Sequence, residues 1–169
     1  MKHKVRFILA IAGMILGVLI AILFGTNEAL FKNKIAQDLL QNEKIIQIQD
    51  VEAKKLTIAK EKSKNWRYYQ RFHFHASAIS TMSLALLIFL SFAVAPAMIT
   101  LICSYMISIG GFLYPFVWLF AGIYGPIMGR HEAKESFAFF GYMGGVMFLG
   151  IILALFITIK YPNKLLSKS

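Results

Sequence analysis

A chain of 169 residues with 58% hydrophobic and only 15% charged residues carries more apolar surface than a soluble domain of that size can bury, which excludes an ordinary water-soluble fold. Its mean hydropathy of +0.64 points the same way. The net charge of +10 does not indicate nucleic acid, because the lysines and arginines cluster beside apolar runs, as they do when they anchor spans against anionic lipid, and no recognition motif accompanies them.

In chain order, a short basic start leads into Phe7 to Phe24, 18 uncharged residues that span about 27 Å as a helix and just cross a hydrocarbon core. The run is long for the apolar part of a signal peptide, and Ile22-Leu23-Phe24-Gly25 offers no good cleavage site, so it reads as an uncleaved anchor. Gly13, Gly17, Ala21 and Gly25 recur every four residues and share one helix face. Such a face admits another backbone closely, either within the chain or at a dimer seam.

Residues 26–71 form the one substantial polar segment, with ten Lys/Arg and six Asp/Glu. Thr26 or Asn27 is placed to cap a helix whose stripe is Phe31, Ile35 and Leu39. Asn42 marks a break, and a second helix is expected from about Asp50 to Gln70, with Val51, Ile58, Trp66 and Tyr69 on one side. With no Pro or Gly between Thr26 and Arg71, two amphipathic helices fit better than a linker. They would lie on the membrane surface or pack on a partner.

From Ala76 to Gly129 there are 54 residues without Lys, Arg, Asp, Glu or His, too many for one span and enough for two joined by a tight turn at Pro96. The second span is expected at about 75–94, with Ala76, Ser80 and Ser83 on one face, and the third at about 97–121, kinked at Pro115. Gly125-Pro126 is expected to close it. A charged loop from Gly129 to Ser136 precedes a fourth span, 137–159, marked by Gly141, Gly144, Gly145 and Gly150. Cys103, the single cysteine, reads as a packing residue. The fold class is therefore an all-α integral membrane protein, a single membrane domain over 1–169. Four transmembrane helices carry an amphipathic helical polar segment between spans 1 and 2.

Four spans bring the polar segment and the 129–136 loop to one membrane face, where His73, His75, His131 and Glu132 are candidate metal ligands. His73 and His75 lie two residues apart, on divergent sides of a helix, so one metal would need a third ligand from the loop. A transition metal or haem is the cofactor this cluster would take. No His falls in the core of a span, which argues against haem within the membrane. Arg67, Arg71 and Arg130 are candidates for lipid or anion contact.

The chain has no nucleophile-elbow, zincin, Walker or dinucleotide-glycine pattern and no Asp or Glu inside a span, so neither a common enzyme site nor an ion-coupled transporter is indicated. The reading is a non-enzymatic accessory or scaffolding subunit of a membrane assembly. Its partners are the lipid bilayer and a membrane protein or a second copy held through small-residue helix faces, with no nucleic acid. A redox accessory built on the His cluster and a homo-oligomeric channel are the alternatives. The basic amino flank of the first span and the lysines of the tail favour a multi-pass protein of the cell membrane with cytoplasmic termini.

Overall fold

The computed structural model describes residues 4–166, so Lys2 in the basic start and Lys168 in the tail lie outside the described residues. It is all-helical: α1 Lys4–Leu39, α2 Glu43–Ile46, α3 Val51–Ser91, α4 Ala97–Leu113, α5 Phe116–Met128, α6 Arg130–Ser136 and α7 Ala138–Lys160. Four helical runs, namely α1, α3, α4 with α5, and α7, are long and apolar enough to cross a membrane.

The two polar helices are not separate elements. α3 is one rod of 41 residues, capped at its start by the Asp50 carboxylate on the Glu52 and Ala53 amides, and it runs without interruption from the charged segment into the apolar one. α1 likewise passes through the apolar run into the polar stripe. Thr26 does not cap a new helix there: its hydroxyl donates back to the Ile22 carbonyl at 3.0 Å, and the helix merely bends at Asn27, whose φ of −138° is non-helical. α1 and α3 therefore pack along each other as an antiparallel hairpin.

The projecting part of that hairpin has its own core. Ile35, Leu39 and Ile45 are buried with Tyr69, against Ile58, Trp66, Leu119 and Ile123. Each buried aliphatic side chain contributes roughly 2 kcal/mol. Phe24, Phe31, Trp66 and Tyr69 pack beside them in edge-to-face and tilted pairs, with centroids 4.9–6.3 Å apart. The α1 stripe is thus used inside the chain, whereas Val51, expected on the same side of α3 as Trp66, is 81% exposed.

Small residues bring the apolar parts together. Gly13 and Gly17 face Ser80 and Ser77 of α3; a Cβ on Gly17 would stand 2.8 Å from the Ser77 backbone nitrogen. Gly110 and Gly150 seat α4 on α7. Leu90, Cys103, Ile107, Ala154 and Ile157 form the core at that end.

Pro115 separates α4 from α5 as expected, since it has no amide hydrogen for the Gly111 carbonyl. Gly125-Pro126, by contrast, does not close α5. The helix continues to Met128 and stops at Gly129, whose φ of +99° suits glycine. Within the segment from Gly129 to Ser136, expected as a loop, Arg130–Ser136 form the short helix α6.

At the other end, the Val94 amide donates to the Pro162 carbonyl at 2.8 Å and the Lys164 amide to the Phe92 carbonyl at 3.0 Å. Both ends of the described chain thus lie at one end of the bundle. The hairpin tip and α6 lie at the other.

Candidate functional site

The polar end holds a cleft of about 420 Å³ between the α1–α2 turn, α3 and the α5–α6 junction. Three α3 residues build one wall. Thr57, Glu61 and Asn65 share a helix face at spacings of four, and Tyr68 follows on that face just outside the cleft lining. Arg130 enters against them: its Nε donates to Glu61 Oε2 at 2.8 Å, and it also bonds Tyr68. Lys64 donates to the other Glu61 oxygen at 2.9 Å. Burial raises the Glu61 pKa, but the hydrogen bonds and charges of Lys64 and Arg130 outweigh it, so the carboxyl sits below its ordinary value. Burial lowers that of Arg130, and the Glu61 and Tyr68 bonds reverse this, leaving it raised.

Asn42 closes the opposite wall. Its Nδ2 donates to the Pro126 carbonyl at 3.1 Å and to the Ile127 carbonyl at 2.9 Å, and its Oδ1 accepts from the Lys44 amide. One side chain thereby starts α2 and satisfies two of the orphan carbonyls that end α5. That cap explains how α5 persists past Pro126. Asn42→Ala should cost about 1 kcal/mol, read as a lower melting midpoint, with earlier hydrogen exchange confined to the end of α5. An unchanged α5 exchange profile would contradict the cap.

Across the mouth, Lys44 donates to Glu132 Oε1 at 2.6 Å, a bond that holds the Glu132 carboxyl below its usual range. Asn65 is fully buried: its Nδ2 donates to the Glu61 carbonyl and its Oδ1 has no partner, facing Gly125, which lacks the Cβ that would meet it at 2.7 Å. The charges pair across elements, so the arrangement acts as a latch tying α2, α3 and α6 together.

The residues singled out from sequence divide among four places. Arg130, His131 and Glu132 line this cleft, with His131 exposed and 3.9 Å from Glu135. Arg71 and His75 lie on the α5 side of α3. The Arg71 guanidinium stacks over Trp118 at 4.9 Å and Tyr68 at 5.8 Å. His75 Nδ1–H donates to the Arg71 carbonyl at 2.7 Å, its ring beside Tyr114 and Trp118. His73 points the other way, to α1, where its Nδ1–H donates to the Gly17 carbonyl at 2.8 Å. Arg67 is exposed on α3.

His73 is therefore set well along the first apolar run, deeper than its place in the sequence implied. Among the described residues no three His, Cys, Asp or Glu side chains converge as a metal-holding group. Glu61, Asn65, Tyr68, Asn42 and Lys44 were not singled out as site residues from sequence. The available signal was the single acid within Lys60-Glu61-Lys62, with Asn65 and Tyr68 on its helix face. No protein-family model matches the chain, and no curated protein or solved structure gives a significant match.

Proposed function

We propose that the chain is a non-enzymatic, multi-pass subunit of a membrane assembly, docked through the outer face of α7. The glycines of α7 support this. Gly144 and Gly150 are filled by Tyr114 and by Ile107 of α4, but nothing lies within 4 Å of a Cβ at Gly145, and only Val117 Cγ2, at 3.9 Å, near one at Gly141. Gly141 and Gly145 are one turn apart, flanked by exposed Tyr142, Phe148 and Leu149. In lipid, such a pair lets a second helix approach closely.

Gly145→Leu should not lower the melting midpoint but should weaken association, with itself or with a co-purifying membrane protein, about tenfold, equivalent to about 1.4 kcal/mol. Light scattering and pull-down in mild detergent read both. A wild-type chain that purifies as a partnerless monomer would sink the proposal. The subunit sits in the cell membrane with its termini in the cytoplasm. A cysteine placed at exposed Val51 should then react with an impermeant thiol reagent added outside intact cells, and protection there would reverse the orientation.

A further inference from the structure

A second groove, about 320 Å³, lies between α1 and α3, away from the latch and from α7. Ala21 and Gly25 of α1 form its floor, and nothing lies within 4 Å of a Cβ at Gly25. Phe24, Trp66 and Phe74 supply flat apolar walls, and Phe74 is itself 65% exposed. Gln70 and His73, one turn apart on α3, supply the uncharged polar groups, and Glu28 of α1 the only charged one in the lining.

His73 gives the groove its chemistry. A carbonyl can only accept, so the bond to Gly17 requires the proton on Nδ1. In the neutral ring, Nε2 is then a lone-pair acceptor, with no bond from any described residue. Gln70 adds an amide able to donate and accept. No cation is offered to a phosphate: the charge at the groove is the Glu28 carboxylate, and Lys32 is committed to it at 2.5 Å and to the Trp66 ring. An anionic headgroup is therefore disfavoured. What fits is a neutral, planar, hydroxyl-bearing ring small enough for the cavity, with an apolar tail that leaves along the exposed α1 side chains such as Val18 and Ile22.

We infer that this groove binds the headgroup of a lipid-soluble quinol, with a ring hydroxyl donating to His73 Nε2, a second ring oxygen meeting Gln70 and the ring lying against Trp66. The reduced form binds in preference to the oxidised one, because a quinone has no hydroxyl to give Nε2.

The test uses the full chain in nanodiscs of neutral phosphatidylcholine, with decylubiquinol and decylubiquinone as probes and empty nanodiscs as background. Wild type should bind the quinol saturably at one site, with the quinone about tenfold weaker, the scale of one unmet hydrogen bond. His73→Phe should weaken quinol binding about tenfold. Gly25→Leu, whose Cβ meets no neighbour, should abolish it without lowering the melting midpoint. The inference is overturned if binding does not exceed background, if the quinone binds as well as the quinol, if Gly25→Leu binds like wild type, or if cholesterol or phosphatidylglycerol displaces the quinol at equal concentration.

Discussion

Gly17→Leu is expected to lower stability by about 3 kcal/mol, near the upper end of what overpacking costs, and to loosen α1 from α3. The clash falls on backbone: a Cβ would stand 2.8 Å from the Ser77 nitrogen and 3.1 Å from its Cα, so no rotamer change relieves it. The added side chain would also displace the carbonyl that His73 bonds. Gly25→Leu provides the comparison. It lies on the same four-residue repeat but faces open space, so only the gain in helix propensity remains, at most about 1 kcal/mol in the stabilising direction. Melting of the two variants in one detergent measures the difference. Equal shifts would mean that α1 does not pack on α3 through this face.

Arg130→Met should cost about 2 kcal/mol at pH 7. The pair with Glu61 is partly buried, with side chains 34% and 24% exposed, so its loss falls between the value for an exposed pair and that for a fully buried one. Glu61→Gln should cost a similar amount, and the double variant less than the sum, because each single change strands the other group.

The pH dependence follows from the direction of the Glu61 shift. Its folded pKa lies below the unfolded value, so its contribution is complete above the unfolded value, about 4.3. It is lost as pH falls through the folded one. Wild type should hold its stability down to about pH 5 and lose it below. Lys44–Glu132 loosens in the same window, so the informative quantity is the difference between wild type and Glu61→Gln, which should shrink on acidification. A difference constant from pH 7 to pH 3 would show that the pair does not hold the latch.

Much of the architecture is legible in the residues. Uncharged runs of 18 residues or more mark the apolar elements, whatever they pack against, because length and hydropathy are local properties. The break at Pro115 follows from a missing amide hydrogen. The burial of Ile35, Leu39, Ser80 and Ser83 follows from spacing along one helix face.

Other features depend on partners far away in sequence. Whether α5 ends at Pro126 is decided by Asn42, 84 residues earlier. Whether Asn27 starts a helix or bends one depends on α3 lying alongside to hold both halves in line. His73 and His75 are the sharpest instance. Their two-residue spacing predicts divergence on a helix, and that divergence is present. Only the packing of α1 on one side of α3 and α5 on the other determined that one ring bonds Gly17 and the other lies beside Trp118.

The sequence by itself determined the helical character, the number of runs long and apolar enough to cross a membrane and the faces on which small residues lie, since these follow from hydropathy and helical period. Only the tertiary structure decided which small faces are occupied. Gly13 and Gly17 are filled by α3, whereas Gly25, Gly141 and Gly145 stay open, because a glycine's spacing places it on a face but does not say what backbone comes near.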